Sequence, residues 1–487
     1  MSWFPKLFTR VAKPITSDAP LFFTNTLSGK KDLFSPLTAG QATMYSCGPT
    51  VYSKAQIGNL RAYVFSDLIA RVLSESGYRV RRVINITDVG HLQGDGDEGE
   101  DKIEAGAKKE GLHAEAIASK YTKLFIEDLS LLNIDTNAIQ FPRATEYIKE
   151  QIAIITLLEE KGLTYRTADG IYFDTEKYPN YGVLDHSGPK LREEAFAEIG
   201  RRIKTNKEKH SPADFALWKF SPLGVRRQQE WSSPWGVGFP GWHIECSAMA
   251  RALLGQPIDI HTGGMDHIPV HHTNEIAQSE CAFGKPLARF WMHQAFLTLS
   301  GEKISKSLGN DVYLSNIVKE SYSPLSLRYF FLQAHYRSPL SFSWEALAAA
   351  NEALERLTRL ARRIAEEAKY KATPSDTSRR VIALLRDDLA TPAALALLWE
   401  AVRDEDMERS EQLGVIKAAD AVLGLSLLTP SVKLIVPESI QRLIEKREEA
   451  RENRDFSTAD ALRIHISNSG YHVEDGPSGP IVTSRPG

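Results

Sequence analysis

Cysteine is scarce: three in 487 residues, widely spaced. That argues against a disulfide framework and for a reducing compartment. No apolar run reaches eighteen residues, so no membrane span is expected. The opening MSWFPKLFTRVAKP is basic in places but has no continuous apolar stretch, which argues against a secretory signal and leaves a transit peptide open, while the cysteine usage points to the cytoplasm. An excess of one charge is also lacking. The 59 basic and 62 acidic side chains leave a net charge of −3. This balance neither demands nor excludes nucleic acid; a polyanion would have to meet local basic faces. Internal repeats are absent. The chain does have length, and 487 residues exceed one compact core, so about two to four domains are expected. Apolar content of 42% and charged content of 25% suit a soluble globular protein.

Residues 41–47 (QATMYSC) read as a strand, and 60–76 as a helix with Val64, Leu68, Ile69 and Val72 on one face. Residues 78–86 are strand-like again, completing a β-loop-α-β unit with a right-handed crossover. Helices are expected at 114–132 and 145–161, and a hairpin at 163–175. The sheet resumes near 257–263, so 133–228 reads as an insertion that splits one α/β domain into 21–132 and 229–315. Residues 1–20 form an N-terminal extension. Beyond 315 the pattern is helical, at 324–335, 344–369, 376–389 and 391–404. A Pro-containing break at 427–439 precedes a last module at 431–487.

Three segments carry chemistry. In GPTVYSKAQIGN (48–59), Gly58 and Asn59 open a helix whose free N–H groups suit a phosphate; a plain strand-helix connection would look the same. In GEKISKSLGN (301–310), two lysines three apart between glycines form a cationic loop able to close on a triphosphate. Residues 241–275 hold one cysteine, five histidines and a Gly-Gly turn. Cys246 begins a helical stretch there. His271 and Glu275, four apart, share a helix face, and Cys47 ends the first strand. These four are ligand types that zinc accepts. His272 is read as a core or supporting histidine, and Cys281 as structural.

Together these strings resemble the cysteinyl-tRNA synthetases, a family of class I aminoacyl-tRNA synthetases. The resemblance rests on CGPTVY (47–52), NITDVGH (85–91), DFALWK (214–219), PGWHIECSAM (240–249), HTGGMDHIPVHHTNEIAQSE (261–280), KISKSLGN (303–310) and RYFFLQAHYRSPLSFS (328–343). The run from Arg447 to Arg463 resembles that family's anticodon module. The implied fold is α/β: a Rossmann-type catalytic core with an acceptor-end insertion, a stem-contact region and helical bundle at 316–430, and a small C-terminal anticodon-binding module. The implied activity is ATP-dependent. Cysteine would become cysteinyl-adenylate and then pass to the 3′ end of cysteine tRNA.

The resemblance also implies site residues. Zinc, one per chain, would sit on Cys47, Cys246, His271 and Glu275 and take the substrate thiolate, with Cys47 and Trp242 walling the pocket for L-cysteine. ATP, with Mg2+, would lie against Pro49, Thr50, Gly58, Asn59, Gly263, Gly264, Asp266 and Lys306, with Asp266 accepting from an adenosine hydroxyl. Gln56, Asn59, Lys303 and Lys306 would be the catalytic set. The class signature His-Ile-Gly-His reads here Gln56-Ile57-Gly58-Asn59. Glutamine donates a hydrogen bond but carries no charge, so the departure bears on adenylation rate. Lys190, Arg192, Arg201, Arg202, Lys204, Lys207 and Lys209 form a basic insertion surface for the acceptor arm, or a solvated charged face. Arg447, Arg451, Arg454 and Arg463 would meet the anticodon stem-loop backbone. A monomer is expected. Two other readings are a cysteine-activating ligase acting on an amino sugar and a non-catalytic, zinc-containing tRNA-binding paralogue.

Overall fold

The computed structural model describes residues 19–89, 102–186, 207–222, 224, 227–299, 302–303, 311–429, 438–453, 455–469, 471–476 and 479–484. A hairpin of β1 (Phe22–Asn25) and β2 (Lys30–Leu33) leads to β3 (Gln41–Ser46), α1 (Ile57–Glu75) and β4 (Arg79–Ile84). Helices α2 (Lys102–Glu110) and α3 (Ala114–Leu131) precede the two-residue β5 (Ile139–Gln140). A second unit follows: α4 (Ile148–Glu160), β6 (Thr164–Arg166), β7 (Gly170–Phe173), β8 (Phe215–Phe220), β9 (Trp231–Ser233) and β10 (Gly236–Pro240). The first unit then resumes with α5 (Trp242–Leu254), β11 (Ile258–Gly264), α6 (Thr273–Phe283) and β12 (Ala288–Gln294).

The main sheet has the order β12-β11-β3-β4-β5, and every neighbouring pair is parallel. Parallel strands are covered on both faces, which is why β11 is buried from end to end. The chain leaves β3 through α1 to reach β4 on one side. It returns much later to β11 on the other. That reversal opens a crevice beyond the C-terminal ends of β3 and β11, the place where such sheets bind ligands.

The insertion folds as an antiparallel sheet, β6-β7-β8-β10-β9. Its limits differ from the expected 133 and 228. The parallel sheet still takes β5, and the antiparallel sheet runs on to Pro240. Two residues are too few to show a period, and glycine and proline punctuate 234–240, so neither strand is legible locally.

Past β12, β13 (Leu297–Leu299), β14 (Glu302–Lys303) and β15 (Leu340–Phe342) form a small sheet around α7 (Leu314–Lys319) and α8 (Pro324–Leu332). A helical region follows: α9 (Trp344–Glu367), α10 (Asp376–Arg386), α11 (Thr391–Arg403) and α12 (Arg409–Leu423). α9 buries Leu347, Ala350, Leu354, Leu357, Ala361 and Ile364, a stripe at three-and-four spacing. Its first turn is capped by Ser343, whose hydroxyl accepts from the Ala346 amide at 3.1 Å. The last module packs α13 (Glu438–Glu452) on α14 (Phe456–Asn468) beside the hairpin β16 (Tyr471–Gly476) and β17 (Gly479–Ser484). Arg447, expected to face phosphates, is instead 3% exposed and paired with Glu448, so it serves the module's interior. Arg463 is exposed and Arg451 half-buried, while Arg454 lies outside the described residues. Among the described residues no helix is long and apolar enough to cross a membrane.

A buried carboxylate joins the sheet to the helices. Asp67 on α1 accepts from Arg71 Nε at 2.6 Å, Arg82 Nη1 on β4 at 3.1 Å and Arg328 Nη2 on α8 at 2.8 Å. Burial pushes its carboxyl up, yet the guanidiniums of Arg71, Arg328 and Arg82 hold it well below the usual range.

Candidate metal centre and nucleotide crevice

Cys47 follows β3 directly, and Cys246 lies in the second turn of α5. His271 sits in a π-helical turn that runs into α6, placing Glu275 one turn further on the same face. The four donor atoms lie within 4.8 Å of one another. The two sulfurs are 4.0 Å apart. Glu275 Oε1 is 3.6 Å from Cys47 Sγ and 3.1 Å from His271 Nε2. Ordinary zinc bond lengths in a tetrahedron separate such ligands by about 3.4–3.8 Å. Donor chemistry and spacing both fit that ion.

The structure adds partners that local sequence does not reveal. His261 Nε2 meets Glu275 Oε2 at 3.0 Å, and His243 Nδ1 meets His271 Nδ1 at 3.0 Å. His272, fully buried, brings Nε2 to 3.2 Å from Cys47 Sγ. Consequently Cys47, His261, His272 and Glu275 form a second quartet of donors that overlaps the first. Cys281 lies on α6 outside both groups, and burial raises its thiol to about 11.

Charge in this pocket is shared unevenly. Burial works against ionised Glu275, but His261 and His271 hold its carboxyl well below the usual range. His271 is raised to about 10; burial opposes this, and Glu275 and Cys246 overcome it. Burial also opposes the Cys246 thiolate, yet hydrogen bonding from Cys47 and the His271 charge bring the thiol down to about 6. Cys47 moves the other way, raised by burial and by Cys246. Burial and neighbouring imidazoles keep His272 neutral, well below its ordinary value, and do the same for His293. The pocket therefore pairs one carboxylate and one thiolate with a protonated His271, which has to give up its proton before it can ligate a cation.

Trp242 stacks on His271, ring centres 4.4 Å apart at 30°. Gly263 admits the crowding above it, since a Cβ there would lie 2.6 Å from His272 Cε1 and 2.7 Å from His267 Nδ1. With Gly264 it closes β11, and Asp266 stands exposed just beyond.

The other wall of the crevice is the loop after β3. Gly48 donates to Asn85 Oδ1 at 2.8 Å and sits so close to that residue that a Cβ would be 1.5 Å from its carbonyl oxygen. Val51 N donates to Thr87 O, and Thr87 N to Pro49 O, both at 3.1 Å, strapping Pro49 and Thr50 to the end of β4. The N-terminus of α1 opens with Gln56, Gly58 and Asn59, where Asn59 Oδ1 accepts from Gln56 N at 3.2 Å. The Gln56 amide donates to Asp311, and Ile57 N donates to Val312 O at 2.9 Å. Lys303 closes β14, with its side chain outside the described part. Lys306 lies outside the described residues, as do Lys190, Arg192, Arg201, Arg202 and Lys204. Lys207 is exposed, and Lys209 lies 5.3 Å over the Tyr172 ring.

The structure thus brings Cys47, Cys246, His271, Glu275 and Trp242 into one cluster, with Gly263 and Gly264 beside it. His243, His261, His293, Asn85 and Asp311 are given no role of their own by the sequence reading. His293 is found through sheet register alone, because β12 places it opposite Gly263.

Residues 33–352 match the family model described as tRNA synthetases class I (C) catalytic domain. A cysteine–tRNA ligase of Burkholderia lata is 48% identical over 462 residues, covering 94% of this chain and 96% of the relative. One from Treponema denticola is 40% identical, covering 93% and 97%. Among solved structures, Mycobacterium tuberculosis methionyl-tRNA synthetase in complex with methionyl-adenylate aligns with a TM-score of 0.55 at 17% identity, over 86% of this chain and 96% of its own. The ternary complex of Agrobacterium radiobacter LeuRS with tRNA and LeuAMS gives 0.56 at 12%, over 82% and 86%. These two likenesses show the shared fold.

Proposed function

The chain belongs to the cysteine–tRNA ligases of class I, and from that membership we propose how its residues divide the work. It is an ATP-dependent aminoacyl-tRNA synthetase that activates cysteine to cysteinyl-adenylate and transfers it to the 3′ end of cysteine tRNA. Relatives named cysteine–tRNA ligase match over nearly the whole chain, so the amino-sugar ligase and the non-catalytic paralogue are not favoured.

In our reading Cys47, Cys246, His271 and Glu275 hold one zinc ion. The first donor quartet is preferred to the second because it contains both sulfurs, the softer ligands. Zinc held there would supply a soft Lewis acid for the thiolate of substrate cysteine and would lower the thiol's pKa. Serine differs by one atom, and a pocket without metal would reject it by roughly 10² only. Trp242 walls the side-chain pocket and fixes the His271 ring. The observation that carries this reading is the spacing of the four donors, beside the C-terminal ends of β3 and β11.

ATP, entering with Mg2+, lies along Pro49, Thr50, Gly58 and Asn59 and against Gly263 and Gly264. Asp266 accepts from an adenosine hydroxyl, and Lys303 and Lys306 stabilise charge on the departing pyrophosphate. Gln56 and Asn59 line the phosphate end of the crevice. The substrate carboxylate is already a nucleophile, so positioning and charge stabilisation suffice. The antiparallel insertion serves the acceptor end, the region at 316–430 the tRNA stem, and the module at 431–487 the anticodon. The protein acts as a cytoplasmic monomer.

Cys246→Ser tests the centre. Zinc content and cysteine-dependent exchange of pyrophosphate into ATP should fall together, and discrimination against serine should drop to roughly 10². Full zinc in the variant would refute the ligand set.

A further inference from the structure

A line of hydrogen bonds runs from the metal pocket to the N-terminal hairpin. His272 Nε2 faces Cys47 Sγ at 3.2 Å. His272 Nδ1 meets His293 Nε2 at 2.7 Å, and His293 Nδ1 meets Thr26 Oγ1 at 2.7 Å. His272 is 0% and His293 4% exposed. Thr26 does not drift at the far end. Its amide donates to Trp291 O at 2.7 Å, and Asn25 Oδ1 accepts from the Trp291 amide at 3.0 Å.

A neutral imidazole has one donor and one acceptor nitrogen, so the line has two internally consistent directions. In one, Cys47 donates as a thiol and every bond points toward Thr26. In the other, the Thr26 hydroxyl donates to His293, His293 Nε2–H donates to His272, and His272 Nε2–H donates to sulfur. A cysteine that ligates a metal is a thiolate and can only accept. The second direction alone is then complete, and it needs a hydroxyl donor at position 26.

We propose that Thr26 is a positioning residue for the metal centre: through His293 it sets the tautomer of His272 that donates Nε2–H to the Cys47 thiolate. This rests on the zinc reading above. Outer partners that orient ligands and fix tautomers in this way typically change metal affinity by about 10–100-fold.

Thr26→Val keeps the side-chain shape and removes the hydroxyl; Thr26→Ser keeps the hydroxyl. Apo-protein prepared by dialysis against a chelator is titrated with zinc in competition with a chromophoric chelator, and ring 15N shifts report the histidine tautomers. Thr26→Val should bind zinc roughly tenfold more weakly, Thr26→Ser should match the parent, and zinc-loaded parent protein should show His272 protonated at Nε2. Unchanged affinity in Thr26→Val overturns the proposal, as does equal weakening in Thr26→Ser. So does His272 protonated at Nδ1 in the zinc-loaded parent, a reading that depends on no variant. Parent protein that takes up no zinc overturns the metal reading itself, a failure distinct from the others.

Discussion

Gln56 caps the opening of α1 and spends its amide on Asp311, at the downstream end of the lysine-bearing segment. An imidazole in its place would lie beside the same carboxylate, which favours the charged ring. A charged donor stabilises phosphate charge better than a neutral amide. Gln56→His should therefore raise the rate of cysteine-dependent pyrophosphate exchange by roughly tenfold while the KM for cysteine stays put. A drop in rate would show that the Gln56–Asp311 pairing itself is what the site needs. Residues of this kind differ in how far sequence reveals them. Cys246 is noticed only as a scarce ligand type on a separate helix, whereas His271 and Glu275 declare themselves because helix spacing puts two ligand types on one face. His261 and His293 do not. His261 stands in the middle of β11 and His293 near the C-terminal end of β12, where strand register decides what each meets. His272, read as a core or supporting histidine, touches Cys47, and its spacing from Glu275 alone does not separate those two roles.

Among the elements, α9 is the clearest case of a helix written into sequence: an apolar stripe, a serine cap and no internal breaker. Ser343→Ala should cost about 1 kcal/mol, read as a lower denaturant midpoint with unchanged slope. α12 is less plain, because Gly414 interrupts it and weakens the helical signal. The strands divide the same way. β3 and β4 carry enough apolar residues to be seen alone, whereas β5, β9 and β10 exist because a neighbouring strand accepts their backbone hydrogen bonds. Local pattern thus locates the insertion but misplaces its edges.

At the scale of the whole molecule, Asp67 ties helix, sheet and the region beyond β12 through three guanidiniums. Asp67→Asn leaves those cations buried without their counter-charge. It should destabilise the fold by about 3–5 kcal/mol near neutral pH, measured by denaturant unfolding. The sign of the pH dependence follows from the lowered carboxyl. The stabilisation is complete above the unfolded value near 4 and is lost as pH falls toward the folded one, so parent and variant should converge in acid. Fold class and the order of catalytic core, insertion, helices and terminal module are legible from sequence. The long-range ties are not, since Asp67 and Arg328 stand 261 positions apart.

Cys47 and Cys246 are separated by 199 positions, and Glu275 follows later still. A chain emerging from the ribosome cannot assemble the four-donor grip before Glu275 is out and β11 has zipped onto β3. In the zinc reading proposed above, ion capture would wait on closure of the central sheet, and a chain cut short before Glu275 should stay empty.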